Sequence, residues 1–260
     1  MTAEVKYQNK ITTLLLPQKL SELRHDVWRS SSFVDALIDS DDIRLHLSIL
    51  KLYYPWMVKV LLPSRISELL HHWRLDYDFK DMHIAPAHAL LWIKWQAPPT
   101  DFRTGTLREF IYMDEYLADN DILHLTALFY RPRVDTDEAV ARDDYRSRLV
   151  SRDQVERYAH TLQRHMSDGV RRMMAASLIY AYATKQLIYD LYGSRLFEGG
   201  GETPPRHNLG WTATALQVAE QGVFGSYEQV LDTTMHEVLA YLLIKKSEAD
   251  AMEAARNNKS

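Results

Sequence analysis

The chain has 260 residues, of which 46% are hydrophobic and 25% charged, and it contains no cysteine. This composition is that of a globular protein long enough for one large core, and it excludes disulfides, thiolate metal sites and a thiol nucleophile. The net charge of −4 gives no general attraction to nucleic acid or to an anionic membrane. Because the longest charge-free apolar run, Met173–Thr184, is shorter than the roughly 20 residues that span a bilayer, we expect a soluble protein.

In the first hundred residues, helical patterns alternate with proline and serine breaks. A first helix is predicted to begin at Pro17, with Ser30–Ser32 interrupting it. Further helices are predicted after Ser40 and Pro63. The segment Pro86–Trp95 is apolar and contains two tryptophans, a pattern that fits either a short helix or a strand.

The clearest local signals lie in Thr106–Pro132. Thr106 and Glu109 have capping-box spacing, in which the hydroxyl accepts from the third-position amide while the carboxylate reaches back. An apolar arc at helical spacing follows, and Asp114 falls inside it. Its ordinary role would be to pair with a nearby arginine, and its functional role would be to contact a partner. After a short polar break, Asn120 and Asp121 are predicted to start a second apolar element, which ends at Pro132.

The middle of the chain is rich in charge. Arg131–Val150 is predicted to be a charged connector with few apolar residues. Arg131–Arg172 holds ten arginines and eight interleaved acids, so we interpret it as a solvated, internally paired face in preference to a phosphate-binding surface. The longest helical pattern begins at Ser151, with Gly169 as a bend or split, and Ala175–Ala183 should be its most buried part because it is apolar all round.

The last third is predicted to contain two short amphipathic helices, broken at Gly222 and Gly225. A final helix should begin with a capping box at Thr234 and Glu237 and fray after Lys246.

Two Glu-x-x-His spacings could supply half of a di-metal carboxylate site in a helical bundle. They are Glu22 with His25 and Glu68 with His71. Both glutamates point away from the apolar faces of their predicted helices, whereas a bundle site projects inward. We therefore predict no metal, no cofactor and no catalytic residue, and keep a di-metal enzyme as an alternative.

Two segments resemble a known group of proteins. TLREFIYMDEYLADNDILHLTALFYRP, residues 106–132, resembles a segment of tail-region proteins from phages that infect gut Bacteroidetes, including crAss-like phages. ALQVAEQGVFGSYEQVLDTTMHEVLAYLLIKKSEAD, residues 215–250, is similar to a second segment of such proteins, in which two short helices flank a glycine-rich corner. Together the two segments cover about a quarter of the chain.

The resemblance implies a non-enzymatic phage morphogenesis protein that acts through protein–protein contacts. One implied function is a tail assembly chaperone, which binds the tape-measure protein in the host cytoplasm. The alternative is a structural neck or tail ring protein of the virion, in contact with connector or tail proteins or with copies of itself. At the glycine corner, Phe224 and Tyr227 are the predicted partner-binding residues, together with Asp114.

These observations predict a mainly α fold, an irregular multi-helix bundle with one long central helix and at most a minor strand element. An N-terminal helical part, residues 1–99, is expected to pack with a C-terminal helical part, residues 100–260, as one domain. Partners are expected to be other phage structural proteins, with neither nucleic acid nor membrane among them.

Overall fold

A computed structural model describes residues 2–7, 10–15, 23, 27, 30–39, 48–50, 53, 88–90, 93–99, 101–149, 151–197 and 210–257. Helix accounts for 73% of the interpretable residues, so the predicted mainly α fold is confirmed. The division into residues 1–99 and 100–260 stays a prediction.

Two small antiparallel sheets account for the strands in the described part of the chain. Strands β1 (Thr2–Tyr7) and β2 (Lys10–Leu15) pair with each other, a hairpin that the helical patterns did not predict. The second sheet has the order β3 (His88–Leu90), β4 (Ile93–Gln96) and β5 (Arg131–Pro132). The apolar segment that could have been helix or strand therefore contains two strands.

The helices, in chain order, are α1 (Ser31–Ile38), α2 (Leu107–Ala118), α3 (Ile122–Phe129), α4 (Asp137–Arg142), α5 (Arg152–Arg164), α6 (Asp168–Ile188), α7 (Ser194–Phe197), α8 (Gly210–Glu220), α9 (Tyr227–Asp232) and α10 (Met235–Asn257). A π-helical turn, Tyr189–Gly193, joins α6 to α7.

Helix α6 is the centre of the hydrophobic core and packs against α1 and α3. The segment Ala175–Ala183 is buried as predicted, apart from Tyr182, which is 40% exposed. The ring of Tyr180 meets Phe129 of α3 edge to face at 4.7 Å, and its hydroxyl donates to the Pro99 carbonyl at 2.7 Å. These contacts tie the central helix both to α3 and to the segment that follows β4.

The corner between α2 and α3 is formed as the sequence predicts. Asn120 adopts a left-handed conformation with φ 53°, which turns the chain. The Asp121 carboxylate then accepts from the His124 amide at 3.1 Å and caps α3.

Three predicted boundaries differ from the structure. Ser30 precedes helix α1, so the serines mark a helix start and do not mark an interruption between helices. The long helix is split into α5 and α6, one of the two outcomes expected at Gly169, but the break lies just before that glycine, since Ser167 accepts from the Val170 amide and caps a new helix. Helix α10 continues to Asn257 instead of fraying, because its last turns are rich in alanine, glutamate and other strong helix formers. The helices predicted after Pro17, Ser40 and Pro63 lie mainly outside the described residues.

Candidate functional site: an arginine-lined cleft

Helices α2 and α10 begin side by side. Leu107 donates its amide to the Thr233 carbonyl at 2.9 Å, and Met235 donates to the Gly105 carbonyl at 2.9 Å. Thr106 and Thr234 thereby form an antiparallel bridge. We call these backbone hydrogen bonds, between residues 105–107 and 233–235, the seam. The seam brings the positive ends of two helix dipoles close together.

The side chains at these two helix starts follow the capping rules to different extents. At α10, Thr234 accepts from the Glu237 amide at 3.3 Å while the Glu237 carboxylate accepts from the Thr234 amide and hydroxyl, so the predicted capping box is complete. At α2, Thr106 accepts from the Glu109 amide at 3.2 Å. The Glu109 carboxylate does not accept from the Thr106 amide in return, because it points inward and accepts from Arg131.

Four charged side chains form a buried network behind the start of α2. Arg131 donates to Glu109, and Arg146 donates to Asp144 with its Nε at 2.9 Å and its Nη2 at 2.7 Å. Arg146 also approaches the second oxygen of Glu109 at 3.6 Å and donates to the Phe129 carbonyl at 3.3 Å. Each of the four side chains is at most 4% exposed. The internal pairing predicted for Arg131–Arg172 holds for Asp144 and Arg146, but Arg131 pairs outside that stretch with Glu109, and this network is buried instead of solvated.

The electrostatics of the network favour the ionised pair of Asp144 and Arg146. Burial alone would raise the pKa of Asp144, but Arg146 lowers that pKa well below its usual range. Burial alone would lower the pKa of Arg146, but Glu109 and Asp144 raise it above its usual range. The pKa of Arg131 is lowered, first by burial and then by the like charge of Arg146. The two arginines differ because Asp144 binds Arg146 in a bidentate manner, whereas Arg131 has a single carboxylate oxygen as its partner.

A cleft of about 270 Å³ opens in front of this network. Thr106 and Thr234 of the two helix starts lie in its wall, and four arginines and four carboxylates line it. The charged lining residues are Arg103, Arg131, Arg142, Arg148, Glu109, Glu138, Asp144 and Asp232. The opposite charges balance, so the cleft is a mixed-charge site.

The outer wall of the cleft is held by ion pairs across long stretches of sequence. Arg108 of α2 donates to Glu228 at 2.6 Å and to Asp232 at 3.1 Å, both on α9. Arg148 donates to the other oxygen of Asp232 at 3.0 Å. Asp232 is therefore shared by α2 and the charged connector, and it fixes α9 against both.

Three polar atoms among the lining residues have no hydrogen-bond partner within the part of the chain that the structure describes. They are Nε of Arg131, Nε of Arg142 and Oε2 of Glu109, and all three atoms are buried. A buried polar atom left without any partner costs roughly 1–3 kcal/mol. In proteins such atoms are usually paired with an ordered water or with a bound ligand. Among the described residues, two donors and one acceptor of the lining side chains are thus left without a hydrogen bond.

The residues that the sequence singled out for partner contacts lie outside the cleft lining. Asp114 is 37% exposed and accepts from Lys185 Nζ of α6 at 2.6 Å. Phe224 is partly buried and meets the ring of Tyr241 edge to face at 5.6 Å. Tyr227 is also partly buried, and burial raises its pKa. Their role in binding a partner stays a prediction.

The four residues of the two Glu-x-x-His pairs, Glu22, His25, Glu68 and His71, lie outside the described residues. Among the residues that are described, no three histidine or acidic side chains are grouped as a metal ion would require. No described helix is both long enough and apolar enough to cross a membrane.

Sequence reasoning missed the cleft, and the charged connector gives only a partial signal of the buried network behind it. Arg131 follows the apolar end of α3 after one residue, Tyr130. Asp144 and Arg146 lie two positions apart in a stretch with few apolar residues. Charged residues that join apolar elements of a compact core must be either exposed or paired. The composition of the connector therefore allowed a buried network, but it did not reveal which arginines belonged to it.

Comparisons with models of known protein families, with curated proteins and with solved structures gave no match to this chain.

Proposed function

We propose that this protein is a non-enzymatic phage morphogenesis protein that acts through protein–protein contacts, as a chaperone in tail assembly. The observation that carries the proposal is the packing of the two segments that resemble phage tail-region proteins. Residues 106–132 and 215–250 are far apart in sequence, yet they form a single structural unit around the seam of α2 and α10. The resemblance is confined to two segments that are separate in the sequence. Their packing into one structural unit gives a physical reason for the two segments to occur together.

The contacts between these segments are specific. The backbone bonds of the seam join the first residue of each helix, Leu107 or Met235, to a residue just before the other helix. Arg108 in the first segment is only 8% exposed and binds Glu228 and Asp232 in the second. Charge-assisted bonds from a buried guanidinium group fix the relative position of two elements more strictly than apolar packing does.

The same unit presents apolar side chains to solvent. At the glycine corner, Gly222 and Gly225 have φ of 71° and 88°, so the chain reverses sharply and leaves Val223 56% exposed. Most side chains of α10 beyond Leu243 are exposed, and Met252 is 73% exposed. An elongated partner could bind such a surface through a helix laid along its apolar side chains.

Co-expression with the phage's own tape-measure, connector and tail proteins tests the proposal. We expect the tape-measure protein to co-purify and Val223→Asp to weaken this interaction without changing the melting temperature, since the side chain is exposed. Val140→Asp is the matched control, because Val140 is 58% exposed and lies outside both segments. If no phage structural protein co-purifies, or if both variants bind equally well, the proposal is wrong.

Mass spectrometry of purified virions separates the chaperone from the ring protein. A chaperone acts before the tail is complete and should be absent or sparse in the particle. A stoichiometric amount in the virion would instead favour the neck or tail ring protein.

A further inference from the structure

The residues that line the cleft leave both hydrogen-bond donors and a hydrogen-bond acceptor unused. Nε of Arg131 and Nε of Arg142 are buried donors without acceptors, and Oε2 of Glu109 is a buried acceptor without a donor. At the rim, Glu138 is held only loosely, with its Oε1 3.9 Å from both Arg142 Nε and Arg148 Nη1. Arg142 and Glu138 therefore form a loose ion pair at the rim, with no hydrogen bond between them.

The charge of the cleft selects against simple ions. Its four arginines would attract an anion, but its four carboxylates would repel the same anion at similar distances. A ligand that carries both charges gains from both sets of side chains. The start of α2, a helix of 12 residues, and the start of α10, a helix of 23 residues, favour the anionic end of such a ligand at their seam.

The cleft also limits the size of the ligand. Pockets for drug-sized molecules measure roughly 300–1,000 Å³. At about 270 Å³, the cleft suits a molecule of only a few heavy atoms beyond its two charged groups.

We propose that the cleft binds a small zwitterion with one carboxylate and one ammonium group, the chemistry of a free amino acid. The ligand carboxylate accepts from the guanidinium groups of Arg131 and Arg142. The ligand ammonium donates to Glu138 at the rim. This site is independent of the partner contacts proposed above, since Val223 and Phe224 do not line it.

Binding is tested on the full chain with the free amino acids as probes, first by thermal shift and then by calorimetry. At least one amino acid should saturate a single site per chain. Acetate and methylammonium, which carry one charge each, should bind about tenfold more weakly or worse, as expected when a charge-assisted hydrogen bond is lost. Inorganic phosphate should be equally weak because it lacks the cationic group.

Two residues of α4 allow the cleft to be changed without disturbing the core, because the side chain of Glu138 is 63% exposed and that of Arg142 is 34% exposed. Arg142→Gln should weaken the binding of both the amino acid and acetate by about tenfold. Its control is Arg164→Gln, because both arginines lie in the last turn of a helix and Arg164 lies outside the cleft. Glu138→Gln should weaken only the amino acid and leave acetate unchanged. Its control is Asp137→Asn, which removes the same charge from the first turn of the same helix.

Three results would overturn the proposal: no amino acid saturates the protein, acetate or phosphate binds as tightly as the best amino acid, or the control variants lose as much affinity as the cleft variants. The proposed function is tested by a separate result. Loss of amino acid binding in Arg142→Gln should leave co-purification of the phage partner intact, and Val223→Asp should leave amino acid binding intact.

Discussion

Replacement of Arg146 by methionine tests whether the buried network holds the seam together. The Arg146 side chain is 2% exposed, it donates to both oxygens of Asp144 and to the Phe129 carbonyl, and its Nη2 lies 3.6 Å from Glu109 Oε2. Methionine fills much of the same volume but supplies none of these donors. Asp144 would keep only the Thr104 hydroxyl at 2.9 Å and the backbone amide of residue 146 at 3.1 Å.

The expected cost follows from leaving a carboxylate buried without its cation. Removing one partner of a buried ion pair costs about 3–5 kcal/mol of the free energy of unfolding. For a chain of this size, that corresponds to a fall in melting temperature of roughly 6–20 °C. Arg148→Met is the control, because Arg148 is 55% exposed and its pair with Asp232 should contribute about 1 kcal/mol or less.

Urea unfolding followed by circular dichroism measures both variants. Adding Asp144→Asn to Arg146→Met should cost much less than the sum of the single changes, with a coupling of roughly 0.5–3 kcal/mol, since the two residues share one interaction. If Arg146→Met costs no more than Arg148→Met, the network contributes no more than a surface pair and the reasoning fails.

Three further predictions concern acid stability, close packing and the glycine corner. Because the folded pKa of Asp144 is lowered, its contribution to stability is complete above the unfolded pKa of about 3.9 and is lost as the pH falls below it; urea midpoints should therefore fall more steeply below about pH 4 in the wild type than in Asp144→Asn, and parallel curves would contradict this. A methyl group on Gly105 would lie 2.4 Å from the buried ring of Phe102, so Gly105→Ala should lower the free energy of unfolding by roughly 1–3 kcal/mol, and an unchanged urea midpoint would show that the ring can move aside. Phe224→Ala removes the ring that contacts Tyr241 and should cost roughly 1–3 kcal/mol in the same assay; an unchanged stability together with loss of the phage partner would instead identify Phe224 as a contact residue.

The parts of the fold that the sequence predicted depend on local signals. The first turn of α2, the corner at Asn120 and the cap at Asp121 are each determined by a few neighbouring residues. The capping box at Thr234 and the positive φ of Gly222 are local in the same sense. Such features can be predicted from a single sequence because the residues that interact are only three or four positions apart.

The cleft could not be predicted, because its partners are remote. Arg131 meets Glu109 across 22 residues, and Arg108 meets Asp232 across 124. Nothing in the pattern of the connector distinguishes buried Arg146 from exposed Arg148, two positions away. Their burial depends on how β5 and the connector fold over the start of α2, and a periodic pattern contains no such information.

Stability alone gives no reason for four buried charges at this seam. A buried ion pair is usually no more stabilising than apolar residues of the same volume, although breaking it is costly. The charges instead fix the geometry of the cleft wall: Arg131 donates to one oxygen of Glu109, and Arg146 Nη2 lies 3.6 Å from the other. The two sets of variants separate these contributions. Arg146→Met acts on the support and should lower stability, whereas Arg142→Gln acts on the cleft itself and should lower only the affinity for a zwitterion.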